Sequence, residues 1–239
     1  MSTDKIALVT GANKGIGFET ARQLGKLGYL VIIGARDEKL GKTAVSILKN
    51  EGLQVQLLVL DVSDQRTIDN AVDFIEKEYG YLDVLINNAG VFLEKGILPS
   101  QLEMKTLRNT FEVNFFGVFA MTTALLPLLK NSTGGRIVNV SSGQGSLTRN
   151  SGAHSGRIQL AYNSSKAAVN ALTIQFAKEL IGTSVKINSA APGFTVTDLN
   201  EGKGNRTVRE AAKIIVHLAT LDNSGRSGGF FEDAGEIPW

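Results

Sequence analysis

Short runs of β-branched and other apolar residues alternate with longer stretches of helical period from one end of the chain to the other, and no other feature limits the fold as tightly. The strand-like runs are residues 5–10, 30–33, 54–60, 82–87, 135–141 and 185–190; helical stretches cover residues 15–27, 39–51, 65–79, 102–129, 159–180 and 208–221. Crossovers of this length connect parallel strands. The alternation therefore predicts an α/β fold, a doubly wound parallel sheet with helices on both faces. The sheet is read as seven-stranded, with the seventh strand counted but not placed. Ala7-Leu8-Val9 and Val84-Leu85-Ile86 are apolar at consecutive positions, as strands covered on both faces require. No Pro/Gly/Ser-rich linker and no solenoid repeat divides the 239 residues, so one domain spanning residues 1–239 is expected. Ligands of such sheets bind beyond the carboxyl ends of the strands, where the polar and glycine-rich motifs of this chain fall.

Composition narrows the function. The 25 Lys+Arg and 23 Asp+Glu leave a formal charge of +2, dispersed along the chain, which gives nucleic-acid binding no support. The absence of cysteine excludes disulfides and thiolate metal ligands and suits a reducing cytosol, so a cytoplasmic setting is expected. Residues 1–6 are too short and charged for a signal sequence, and no apolar run reaches the ~18 residues of a membrane span. The histidines, His154 and His217, lack a paired carboxylate spacing, so no metal is expected.

The first strand-like run ends in Thr10-Gly11-Ala12-Asn13-Lys14-Gly15-Ile16-Gly17 and leads into a helix. Glycines there let backbone approach a pyrophosphate, which then rests on the helix N-terminus. Gly11, Asn13, Lys14, Gly15, Ile16 and Gly17 are thus the candidate phosphate cradle of a dinucleotide. The second run ends Gly34-Ala35-Arg36, with Ala35 where an NAD-specific site would place a carboxylate. Arg36 and Lys14 are positioned to bracket a 2′-phosphate, while Asp37 is the alternative, an acid displaced by one position. Asp61 and Val62 close the third run and suit the adenine; Asn87-Asn88-Ala89-Gly90 closes the fourth, with small residues that admit a cofactor.

Tyr162 and Lys166 stand one helical turn apart. An ammonium about 6 Å from a phenol favours phenolate by roughly 3 kcal/mol at an effective dielectric near 20, or about two pKa units below the ordinary ~10. Such a phenol exchanges protons with a substrate oxygen near neutral pH. The shift falls short of pH 7, and the remainder is assigned to the positive charge of an oxidised nicotinamide.

In chain order stand the Thr10 to Gly17 loop, Asp61, Asn87-Asn88-Ala89-Gly90, Asn114, Ser141-Ser142, Tyr162-x-x-x-Lys166 and Pro192-Gly193-Phe194-Thr195-Val196-Thr197. This series resembles the short-chain dehydrogenase/reductase family, and the resemblance covers essentially the whole chain. The glycine loop, the Gly34-Ala35-Arg36-Asp37 strand end, and Gly228-Gly229-Phe230-Phe231 followed by Ile237-Pro238-Trp239 resemble its carbonyl-reductase-like, NADPH-preferring members. The resemblance implies a Rossmann-type sheet, NADP(H) as cofactor, and reversible hydride transfer between the cofactor and a small-molecule carbonyl or alcohol. It makes Tyr162 the general acid/base and Lys166 its electrostatic partner, which also binds the nicotinamide ribose. Ser142 would hold the substrate carbonyl, with Ser141 as fallback, and Asn114 would position a water leading from Lys166 to solvent. The Val196 backbone and the Thr197 hydroxyl would fix the carboxamide, and Pro192-Gly193 would bend the chain around it.

Twenty positions separate Ser142 from Tyr162, more than in many members of the family, and residues 148–157 read as a polar loop over the site. Insertions here obstruct the helix pairing used in oligomers, so monomer and homo-oligomer both stay open. The segment 198–206 is short for a substrate lid, which suggests a shallow pocket for varied carbonyls. Phe92, Phe194 and Trp239 are pocket walls or packing residues. Rival readings on the same scaffold are a non-catalytic NADP(H)-binding sensor and a sugar-nucleotide epimerase or dehydratase.

Overall fold

A computed structural model describes residues 5–152 and 156–239. His154 therefore lies outside the described residues. The chain alternates as read: β1 (Ile6–Thr10), α1 (Gly15–Lys26), β2 (Leu30–Ala35), α2 (Glu38–Asn50), β3 (Val55–Val59), α3 (Gln65–Tyr79) and β4 (Val84–Asn87). Then follow α4 (Met104–Phe111), α5 (Gly117–Asn131), β5 (Arg136–Val140), α6 (Leu147–Asn150), α7 (Leu160–Glu179), β6 (Lys186–Ala190), α8 (Val208–Ala219), β7 (Phe230–Glu232) and β8 (Gly235–Glu236).

One eight-stranded sheet runs in the order β3-β2-β1-β4-β5-β6-β7-β8. Strands β1 to β7 pair in parallel; β8 turns back antiparallel on β7. Because side chains alternate along a strand, β1 divides its residues between two apolar layers. Ile6 and Leu8 join α3, α5 and α7 through Ile68, Leu125 and Val169, whereas Ala7 and Val9 join α1 and α8 through Leu24 and Ile215. Both faces are covered, which explains the unbroken apolar runs. After β3 the chain crosses to the other side of β1 to enter β4, so the loops leaving β1 and β4 part in opposite directions. That crevice is the binding position of an open α/β sheet.

The structure departs from the reading in its strand count, in one helix and in one loop. The eighth strand was not anticipated, and β7 was counted without a location, since strands of two or three residues carry too little periodicity to be seen. The helix expected over 102–129 is two helices joined by a widened π turn at Glu112–Phe116, which contains the fully buried Asn114. The polar loop expected over 148–157 opens in helix, because α6, capped by Ser146, runs into it after a 3₁₀ turn at Gly143–Gly145 capped by Ser142.

The Met104–Asn131 stretch is, by length and composition, long and apolar enough to cross a membrane, contrary to the expectation that no such run exists. Its Met121, Leu125 and Leu129 are fully buried against the sheet, so its apolarity serves the core. Gly117 opens α5 where the helix meets the loop after β3. A Cβ at this position would stand 2.8 Å from Val62 Cγ2 and 3.0 Å from the Val62 carbonyl. Gly117→Ala is therefore expected to lower the unfolding free energy by about 1–2 kcal/mol despite the better helix propensity of alanine. Chemical denaturation measures it; a midpoint that stays or rises would show that α5 yields at this contact.

Candidate active site

The seam between β1 and β4 is built from Thr10 and Asn88. Thr10 Oγ1 accepts the N–H groups of Asn88 and Ala89, each at 3.0 Å, and Asn88 Nδ2 donates to the carbonyls of Thr10 at 2.8 Å and Gly11 at 3.1 Å. The two loops are so close that side chains do not fit. A Cβ on Gly11, which has φ +63°, would meet Ala89 Cα at 2.9 Å, and one on Gly17 would meet Asn88 Nδ2 at 2.3 Å. Helix α1 begins immediately, with Lys14 in the N-cap place, no side-chain cap and no acid in its first turn. Its first N–H groups are left to an anion.

At the end of β2, Arg36 is exposed and makes no ion pair among the described residues. Asp37 is the N-cap of α2 and accepts the Leu40 N–H at 2.9 Å, so one of its oxygens serves the helix. Lys14 is paired differently from the expectation. Its Nζ lies 2.8 Å from Asp198 Oδ2, on the opposite lip of the crevice, and this hydrogen bond holds the Asp198 carboxyl below the usual range. Both groups are exposed, and such a pair is weak and screened by salt, so a phosphate can displace it.

Asp61 spends one oxygen on Ser63, accepting its N–H at 2.9 Å and its hydroxyl at 2.6 Å; Oδ2 makes no hydrogen bond among the described residues. Val62 is buried beneath Gly117. A Cβ on Gly90 would stand 3.3 Å from Asn114 Oδ1 and 3.7 Å from Lys166 Nζ, so this glycine lies between the glycine seam and the buried lysine.

Tyr162 and Lys166 sit in the first two turns of α7. Lys166 is buried, and its Nζ donates to the Val140 carbonyl at 2.8 Å and lies 5.7 Å from the centre of the Tyr162 ring. Burial pushes the ammonium down to about 8. Tyr162 moves opposite to the expectation: burial pushes the phenol up, and a hydrogen bond with Ser142 recovers only part of the shift. Removing phenolate from water outweighs an ammonium that is itself desolvated and turned to a carbonyl.

Of the two serines, Ser142 is the one that acts on the phenol pKa, and its hydroxyl accepts the Gln144 N–H at 3.2 Å. Ser141 is buried and donates to the Lys166 carbonyl at 3.3 Å, which removes it as fallback. Asn114 is held by three hydrogen bonds: Oδ1 accepts the Val91 N–H at 2.8 Å, and Nδ2 donates to the Val91 carbonyl and to Ser165 Oγ. No hydrogen bond joins it to Lys166 among the described residues.

The far lip follows β6. Gly193 has φ +80°, and Thr195 Oγ1 donates to the Gly193 carbonyl at 3.1 Å, closing the turn after Pro192. The Val196 N–H is taken by the Arg206 carbonyl at 2.9 Å, so only the Val196 carbonyl stays available. Thr197 contacts Asn200 through its N–H and its hydroxyl, and its methyl would lie 3.8 Å from a Cβ on Gly15 across the crevice. Phe92 packs edge-on to Tyr162, with ring centres 5.4 Å apart, and Phe194 lies beneath the Arg157 guanidinium at 4.5 Å. Trp239 instead stacks on Phe230 in a small apolar cluster, while its carbonyl and that of Pro238 accept from Thr148 and Ser146 and pin α6. This pinning by the last residues has no signal in the sequence, and neither does Glu94, which accepts the Tyr162 N–H at 2.6 Å.

The lowered Lys166 pKa has a thermodynamic sign. Between about pH 8 and the ordinary onset of tyrosine ionisation near 10, the unfolded chain holds a proton on this lysine that the folded chain has released, so stability rises with pH. Above that range the raised Tyr162 pKa acts in the opposite direction. The unfolding free energy should gain about 2 kcal/mol from pH 8 to pH 10 relative to Lys166→Met. Equal pH slopes in the two proteins, measured by urea unfolding, would contradict it.

A family model described as short chain dehydrogenase matches residues 5–207. The chain is 36% identical over 228 residues to "Short-chain dehydrogenase anuI" of Penicillium roqueforti (strain FM164), covering 91% of this chain and 89% of that protein. It is 34% identical to carbonyl reductase (NADPH) 1 of Bos taurus, over 100% of this chain and 99% of that one. Its fold is similar to the solved structure of salutaridine reductase from Papaver somniferum, with a TM-score of 0.85, 31% identity, and coverage of 96% and 99% of the two chains. The sheet order, the glycine seam and the Ser142, Tyr162 and Lys166 cluster are thus joined by full-length similarity, and the chain belongs to the short-chain dehydrogenase family.

Proposed function

We propose that this chain is a single-domain, NADPH-dependent reductase of the cytoplasm that converts ketone and aldehyde carbonyls to alcohols, with Tyr162 as proton donor. The observation that carries this reading is the cluster of Ser142, Tyr162 and Lys166, in which the Ser142 hydroxyl counters part of the rise in the phenol pKa and a buried ammonium lies 5.7 Å from the centre of its ring. The dinucleotide suits the crevice, since a Cβ on Gly17 or Gly90 would crowd the cradle that leads from the α1 N-terminus to Lys166. Gly11, Asn13, Gly15, Ile16 and Gly17 would hold its pyrophosphate, and Arg36, with Lys14 released from Asp198, its 2′-phosphate. Asp61 and Val62 would flank the adenine, with Asn88, Ala89 and Gly90 beside the riboses. Pro192, Gly193, Val196 and Thr197 would border the carboxamide. When bound, the nicotinamide supplies the hydride.

The rest of the chemistry belongs to the chain. The Ser142 hydroxyl holds the substrate oxygen against the phenol. Burial keeps Tyr162 protonated through neutral pH, the state required of a donor in the reductive direction. As negative charge develops on the substrate oxygen, Tyr162 gives up its proton. Lys166, with a pKa of about 8, is still mostly an ammonium at pH 7 and stabilises the phenolate left behind. Asn114 ties this set to the loop after β4, through Ser165 on α7 and through Val91.

NADPH oxidation over a panel of carbonyl compounds tests the reading. Tyr162→Phe should lower kcat by about 10²–10⁴-fold while NADPH affinity stays within a factor of two, the range of general acid catalysis. Turnover close to wild type would refute the assignment. Arg36→Asp should shift the ratio of NADPH to NADH efficiency by about tenfold or more toward NADH, the scale of one lost charge-assisted contact. An unchanged ratio would remove Arg36 from the 2′-phosphate.

A further inference from the structure

We propose that Glu94 is a positioning residue for Tyr162: from the loop after β4 it caps the helix that carries the phenol and so fixes where the phenol stands. The inference rests on the reading of Tyr162 as the proton donor. Helix α7 has no cap of its own, for Gln159 in the N-cap place makes no side-chain hydrogen bond and its first turn holds no acid. The first N–H groups of a helix need acceptors from elsewhere. Glu94 supplies one from 68 residues away, its Oε1 accepting the N–H of Tyr162 itself at 2.6 Å. A carboxylate there is also favoured by the positive end of the helix.

Burial sets this contact apart from a surface cap. Glu94 is 2% exposed, and its Oε2 is buried with no partner among the described residues. A dry carboxylate oxygen works against stability, so the fold tolerates this side chain at a cost and gains from it one directed contact, the one to Tyr162. The same loop holds the other end of the tyrosine, because Phe92 lies edge-on to its ring at 5.4 Å. The loop is in turn anchored where it begins: Val91 is clamped through both its N–H and its carbonyl by Asn114, whose Nδ2 also reaches Ser165 on α7. Backbone and ring of Tyr162 are therefore located by one short segment. That segment is tied at its other end, through Lys95, to Glu201 on the opposite lip.

The test is steady-state NADPH oxidation with an aromatic aldehyde in the full chain, comparing wild type with Glu94→Ala, Glu94→Asp, Glu94→Gln and Tyr162→Phe. Glu94→Ala should lower kcat about tenfold or more with the aldehyde KM and the NADPH Kd changed less than about threefold, since a displacement near 1 Å impairs proton transfer more than binding. Glu94→Gln keeps the acceptor and should restore kcat to within about threefold; Glu94→Asp keeps the charge but falls a methylene short, and should resemble alanine if it folds where alanine does not. The proposal is overturned by a near-wild-type kcat in folded Glu94→Ala or Glu94→Asp, or by a glutamine variant as impaired as alanine. It is also overturned by kcat losses that only follow the folded fraction seen in circular dichroism. An active Tyr162→Phe would refute the donor role itself, separately from these outcomes, and with it the reason for the brace.

Discussion

The site is organised by the burial of Lys166. An ammonium taken out of water must find an acceptor, and it finds the Val140 carbonyl at the carboxyl end of β5. That one bond fixes α7 against the strand end. The backbone then closes around it: Ser141 donates to the Lys166 carbonyl, and the turn at Gly143–Gly145 lies so close that a Cβ on Gly145 would stand 2.8 Å from the Lys166 carbonyl carbon. Ser142 follows from that turn, as its cap, and is thereby delivered to the phenol. The lysine is in this sense structural before it is electrostatic.

The same burial reverses the simplest account of the tyrosine. Spacing alone allots Lys166 a Coulomb attraction large enough to lower a phenol by about two units. That figure presumes a solvated partner, whereas here the ammonium is buried and the phenol, itself half-buried, rises. The chain by itself thus builds a proton donor rather than a phenolate base.

Much of this was legible in the residues and some was not. The alternation of strand and helix was visible because each element is long enough to complete its period, and the glycines were visible because close approach between the β1 and β4 loops leaves room for nothing else. Asp37 shows the limit of local reading: an acid after β2 reads as a ribose ligand or as a helix cap, and the cap contact to the Leu40 N–H appears only in the fold. Lys14 stands on the loop between β1 and α1, and its partner Asp198 is 184 residues away, which no spacing rule reports. Glu94 lay in an irregular segment with no motif, and its importance comes only from where α7 happens to begin. Short β7 and β8 escaped for want of length.

The most direct measurement is the ionisation of Tyr162 in the protein without cofactor, read as the difference in tyrosinate ultraviolet absorbance between wild type and Tyr162→Phe across a pH titration. With 4 tyrosines in the chain, the difference isolates one. The account predicts that Tyr162 ionises above the range of an ordinary tyrosine, because burial outweighs Lys166. Ionisation near neutral pH would contradict it and return the site to a preformed phenolate.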